Sequence, residues 1–122
     1  HYGLDNLVVF VDFNGLQISG KVTEIMNYTP IADHFKAFGW ATRDIDGNNM
    51  QEIVDTLDSL PLEKGKPNLI VAHTVKGKGI SFEENKVSSH YWSPGEEELQ
   101  RAIQEVEESI RQLEKICGEE TI

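Results

Sequence analysis

At 122 residues the chain suffices for one domain, burying roughly two-thirds of its unfolded surface, and its composition (39% hydrophobic, 26% charged) is that of a globular protein. The formal net charge of −10 argues against a nucleic-acid or anionic-membrane surface, since both need clustered Lys and Arg. The single Cys117 allows no internal disulfide, so a reducing, cytoplasmic setting is expected; the sequence shows no signal peptide and no apolar run of membrane-spanning length.

The first predicted element is a strand over Leu7–Phe13, "LVVFVDF". It is nearly continuously apolar, the pattern of a parallel strand covered on both faces. A helix follows, with Thr29 as N-cap and Pro30 at the first helical position. Its buried face is marked by Ile31, Phe35 and Phe38, and Gly39 is its stop. The second strand, Ala41–Ile45 ("ATRDI"), is more polar and belongs nearer a sheet edge. The next helix opens with Asn48 as N-cap and Gln51 three residues on, a capping-box pattern. Ile53, Val54, Leu57 and Leu60 form its apolar stripe, and Pro61 closes it. The third strand, Leu69–Thr74 ("LIVAHT"), is again apolar throughout.

Strand–helix–strand–helix–strand is the signature of parallel βαβ units. The fold class is therefore α/β, with a trailing amphipathic helix over about Glu96–Cys117. That helix carries Leu99, Ile103, Val106, Ile110 and Leu113 at steps of 4, 3, 4, 3, a heptad-like seam. Burying five such side chains contributes on the order of 8–15 kcal/mol gross, so the seam is expected to pack on the domain or a partner. Residues 1–94 read as a partial α/β domain and 95–122 as the helix and tail. Three strands make a small sheet for this class, and the first has no preceding element to pair with. Missing partner strands are expected upstream of His1.

Ligands of parallel sheets bind beyond the carboxyl ends of the strands, and three polar groupings lie there. The first is Asp12 and Asn14 with Gly15-Leu16. Asn14 and a nearby carbonyl suit part of the oxygen shell of Mg²⁺, and the same residues suit simple turn chemistry. The second is "DIDGNN", residues 44–49, where Asp46 has the look of a ligand but fits a tight strand-to-helix loop better. The third is "AHTVKGKGISFEENKVSSHYW", residues 72–92. Gly77 and Gly79 expose backbone while Lys76 and Lys78 add positive charge, which suits a diphosphate. No Walker loop is present.

Three blocks, "LDNLVVFVDFNGLQISG", "FKAFGWATRDIDGNNMQEI" and "KPNLIVAHTVKGKGISFEEN…SSHYW", resemble consecutive stretches of transketolase, especially the N-terminal subunit of split bacterial transketolases. The resemblance covers nearly the whole chain, in order. It implies the C-terminal half of a thiamine diphosphate-binding domain that transfers a two-carbon ketol unit between sugar phosphates. By the same resemblance, Asn14 and the backbone carbonyl of Leu16 hold Mg²⁺ or Ca²⁺, and Ile18 approaches the cofactor. Lys76 contacts the diphosphate. His90 reaches the cofactor and the donor sugar as the catalytic residue. The family's Gly-Asp-Gly segment is absent, and Tyr91 stands where the family commonly has Gly after the His.

The implied partners are the upstream half of the same domain, a pyrimidine-binding subunit or domain, and sugar phosphates, in a dimeric or heterotetrameric assembly. The fragment alone is expected to be inactive. The alternatives are another thiamine diphosphate enzyme (a deoxyxylulose phosphate synthase or a dehydrogenase E1 component) or a non-catalytic phospho-acceptor or assembly domain.

Overall fold

The computed structural model describes residues 1–119, with side chains through Cys117. It divides into two compact units, His1–Val75 and a second beginning at Lys76. In chain order the first unit contains β1 (Val8–Phe13), β2 (Leu16–Gln17), β3 (Gly20–Lys21) and the short helix α1 (Val22–Ile25). It continues with α2 (Ile31–Ala37), β4 (Ala41–Asp46), α3 (Met50–Asp58) and β5 (Asn68–His73). The second unit holds a 3₁₀ turn, Val87–Tyr91, and the long helix α4 (Glu96–Glu119).

The main sheet is parallel throughout, with the order β1-β5-β4. The last strand in sequence therefore lies at the centre. Its composition explains why: Asn68 to Ala72 are all buried, with Leu69 and Ile70 at 0% exposure. Two such side chains each contribute about 1.5–3 kcal/mol by leaving water. The more polar β4 lies at an edge, as its sequence suggests. One face of the sheet packs Leu69 and Val71 against Ile31 and Ala32, joined by Val9, Val11, Phe13, Phe35 and Trp40. The other packs Ile45, Ile70 and Ala72 with Val8, Ile53 and Leu62.

β1 departs from the expectation of two covered faces: Phe10 is 45% exposed. Among the described residues β1 has a neighbour on one side only. The Val9–Val11–Phe13 face packs in one core cluster, whereas on the other face Val8 is covered and Phe10 is not.

Buried Asn68 is fully engaged. Its amide donates to the carbonyls of Asp5 and Leu7 at 2.8 and 3.1 Å, and its Oδ1 accepts from the Leu62 N–H at 2.8 Å. A buried amide left unpaired costs about 1–3 kcal/mol. Here it instead ties the chain's first turn and the loop after α3 to the start of β5.

Helix starts fall one residue later than the sequence suggests. Pro30, not Thr29, is the N-cap of α2, because the Thr29 hydroxyl and N–H both turn back to Asn27 Oδ1, at 2.7 and 3.2 Å. Asn49, not Asn48, caps α3, accepting from the N–H groups of Gln51 and Glu52. Asn48 is taken up elsewhere, accepting from the Val75 N–H at 2.8 Å. Two stripes are also narrower than expected. Phe38 is the exposed C-cap of α2 rather than part of its buried face. In α3, Ile53 and Thr56 turn inward while Val54 and Leu57 stay over 40% exposed.

In the second unit, α4 is about 36 Å long at 1.5 Å per residue. Three glutamates in its first turn complement the positive end of the helix dipole. Leu99, Ile103 and Val106 line an apolar groove of about 290 Å³ with Ile80 and Trp92. The seam residues Leu99 to Leu113 remain 40–61% exposed, so their expected burial is not supplied by the described residues.

Candidate functional site

The parallel register sets Phe13, His73 and Asp46 level with one another, so the three strands end together. Asn14 follows immediately. Its Oδ1 accepts from the Leu16 N–H at 3.0 Å, closing an Asx turn. Gly15, at φ +72°, supplies the left-handed conformation the turn needs. The chain then forms a small hairpin, in which Leu16 lies opposite Lys21 and Gln17 opposite Gly20. Ile18 sits at the exposed tip.

The hairpin fixes where the Leu16 carbonyl points. Val22 N–H donates to Gly15 O at 3.0 Å, which makes Gly15 and Val22 a hydrogen-bonded pair. In an antiparallel ladder such pairs alternate, so the next pair, Leu16 and Lys21, directs its backbone groups outward. Leu16 N–H and C=O therefore share the edge on which Asn14 Oδ1 lies. Two neutral, hard oxygens on one edge fit part of the shell of Mg²⁺ or Ca²⁺, both of which take oxygen ligands. Among the described residues no group of three His, Cys, Asp or Glu is arranged to hold a metal.

The neighbouring acids have other work. Asp12 Oδ1 accepts from the Thr74 hydroxyl. Asp46 Oδ1 accepts from the Asn48 N–H at 2.8 Å, while its own N–H donates to Glu52 Oε2 at 2.8 Å. Asp46 is thus built into the loop before α3. That loop also passes so close to β5 that a Cβ on Gly47 would stand 2.6 Å from Thr74 Cγ2 and 2.8 Å from Ala72 Cβ.

The glycine–lysine loop belongs to the second unit. Lys76 O accepts from the Asn85 N–H at 2.9 Å, and the Lys76 ammonium has no ion pair among the described residues. Lys78 is paired with Glu84 at 3.5 Å. Gly77, at φ +75°, lies against Glu83, whose carbonyl oxygen a Cβ would meet at 2.6 Å. Glu83 is itself 8% exposed, and both its backbone oxygen and Oε2 accept from the Ser89 hydroxyl at 2.7 Å. Glu83 therefore joins the start of the loop to the turn that carries His90. His90 is exposed and meets Tyr91 edge-on, with ring centroids 4.6 Å apart. Its ring nitrogens have no hydrogen bond among the described residues.

The structure thus brings Asn14 and Leu16 together in one unit, with Ile18 at the tip of the same hairpin, and links Lys76 to the His90 turn in the other. Sequence reasoning missed Glu83 and an Asp44–His73 pair. Nothing near Glu83 in sequence marks it, and His73 meets Asp44 only through the strand register.

By fold and site the chain is a parallel α/β protein with polar groups gathered just beyond its strand ends. Residues 1–109 match the family described as transketolase, thiamine diphosphate binding domain. The chain belongs to that family. It is 41% identical over 114 residues to an apulose-4-phosphate transketolase subunit of Phocaeicola vulgatus, covering 93% of this chain and 41% of that protein. It is 42% identical over 104 residues to 6-deoxy-6-sulfo-D-fructose transketolase subunit SqwG of a Clostridium species, covering 85% and 38%. The crystal structure of transketolase from Campylobacter jejuni superimposes with a TM-score of 0.74 at 31% identity, over 85% of this chain and 16% of that one. The chain thus spans about two-fifths of the length of the first two relatives. Among the described residues no helix is long and apolar enough to cross a membrane.

Proposed function

We propose that the chain is part of the cofactor-binding half of an enzyme that transfers a two-carbon ketol unit between sugar phosphates with thiamine diphosphate. The observation that carries this is the Asn14–Leu16 turn. It sets an amide oxygen and a backbone carbonyl on one edge beyond β1, in a chain of the transketolase family. Asn14 and Leu16 would hold Mg²⁺ or Ca²⁺, and Ile18 would border the cofactor. Lys76, free of ion pairs among the described residues, would neutralise diphosphate charge. His90, exposed and without a competing partner there, would contact the diphosphate and hold or move a proton at a donor-sugar hydroxyl. When bound, thiamine diphosphate supplies the electron sink for carbon–carbon bond cleavage.

Relatives named as subunits support a partner chain, which would bring the pyrimidine-binding domain. A dimeric or heterotetrameric assembly in the cytoplasm fits this reading. Residues 1–94 would form the diphosphate-binding portion, with 95–122 as helix and tail.

The test compares Asn14 with Asp46 in the enzyme assembled with its partner. Asn14→Ala is expected to raise the half-saturating Mg²⁺ and cofactor concentrations by roughly 10–100-fold, at least what loss of an outer-shell contact costs a metal site. Asp46→Asn is expected to leave both nearly unchanged. Equal responses of the two variants would overturn the assignment.

A further inference from the structure

Asp44 and His73 form a polar pair at the carboxyl edge of the sheet that the proposed function leaves without a task. His73 ends the central strand, and its Nε2 lies 2.8 Å from Asp44 Oδ1 on β4. On its other side the imidazole meets the ring of Phe13 on β1 edge-on, with centroids 5.5 Å apart and planes at 84°. Strand alternation puts His73 on the same face as Leu69 and Val71, which is the face packed by α2. One imidazole therefore links all three strands at their ends.

Phe13 is the residue before Asn14. Its strand has a sheet neighbour on one side only among the described residues, and strand ends at sheet edges open most readily. The backbone bond closing this end, from Thr74 N–H to Phe13 O, is long at 3.3 Å. The carboxylate of Asp44 fixes the imidazole through Nε2, so the ring stays turned toward Phe13. On the opposite face Asp12 is tied to the Thr74 hydroxyl. The last turn of chain before Asn14 is thus held from both sides.

We propose that His73, oriented by Asp44, is a positioning residue for the Asn14–Leu16 turn: it pins Phe13 and so sets the direction in which Asn14 leaves the sheet. This rests on the reading of Asn14 and Leu16 as oxygen donors to a divalent cation. A donor pair of that kind tolerates displacements of only about 0.5 Å, so a support one residue away matters more than its exposure suggests.

Amide hydrogen exchange of the 122-residue chain, read by NMR, tests the pinning without metal or cofactor. His73→Ala is expected to speed exchange of the Leu16 N–H by about two- to tenfold, the loss of one edge-on ring pair. Leu69 and Val71, in the same core, are expected to keep their wild-type rates. Asp44→Ala should give the same pattern more weakly, and should fold even if His73→Ala does not. Asp44→Asn, which retains an acceptor for Nε2–H, should restore protection. Unchanged Leu16 exchange in the alanine variants would overturn the proposal, and so would equal acceleration of Leu16, Leu69 and Val71, the mark of a general stabiliser. A titration with Mn²⁺ alone separates the two readings. If Asn14→Ala leaves Mn²⁺ binding intact while Leu16 exchange still responds to His73→Ala, the donor assignment falls and the pinning stands.

Discussion

Leu69 and Ile70 in β5 have no exposed surface, whereas among the described residues of the second unit the buried ones are Ala102 and the acidic Glu83. The first unit is held by apolar strands packed on both faces. The second is held by polar junctions: Glu83 with Ser89, Glu105 with Ser81, and Arg101 stacked 4.4 Å over Phe82. Both units carry candidate site residues, yet the physical support beneath them differs. The Asn14–Leu16 turn grows directly from the end of a sheet strand and is closed by one side-chain hydrogen bond. The glycine–lysine loop is instead shaped by glycines and a few directional hydrogen bonds.

The largest expected effect tests the apolar half of this contrast. Leu69→Ala should destabilise the first unit by about 2–5 kcal/mol, the range for emptying a packed core site. Denaturant unfolding followed by β1 and β5 amide signals measures it. A loss below about 1 kcal/mol, well under that range, would mean that the sheet core is not what holds this unit.

Gly77→Ala tests the polar half. The new Cβ would meet Glu83 O at 2.6 Å, in a backbone conformation of φ +75°, and non-glycine residues in such regions cost about 1–3 kcal/mol. Faster exchange of the Asn85 N–H, which donates to Lys76 O, is the expected signal. β5 amides should be unaffected. An equal response in β5 would break the distinction between the units.

The smallest effect is electrostatic. The Ser81 N–H and hydroxyl, aided by Arg101, hold the Glu105 carboxyl below its usual range. A depressed folded-state value stabilises the folded form above the unfolded carboxylate value, about 4.3, and this contribution is lost as pH falls through the folded value. The Ser81–Glu105 contact should therefore loosen only in acid. Glu105→Gln should remove that pH dependence while changing little near neutrality. Loosening as pH rises instead would reverse the assignment.

Much of the first unit was legible in the sequence. Largely apolar runs at 7–13 and 69–74 marked parallel strands, and the polar "ATRDI" marked an edge, because burial acts on each strand's own side chains. Asn14 was legible as a turn residue, and the Asx turn it closes with the Leu16 N–H bears that out; its assignment as a metal ligand came only from the family resemblance. Helix caps were readable only to within one residue. Whether Asn48 or Asn49 caps α3 depends on which amide Val75 claims, and Val75 is distant in sequence.

Local hydrophobic pattern and turn chemistry determined the α/β class and, to within a residue, the three strands of the main sheet, though not the small β2–β3 hairpin. The tertiary structure decided the rest. It placed the last strand between the first two, left Phe10 uncovered and let His73 reach Asp44 and Phe13 at once. It also joined the lysine loop to the His90 turn through Glu83. Each of these depends on which distant segments share a register or a hydrogen bond, and pairing across tens of residues leaves no periodic trace in the chain.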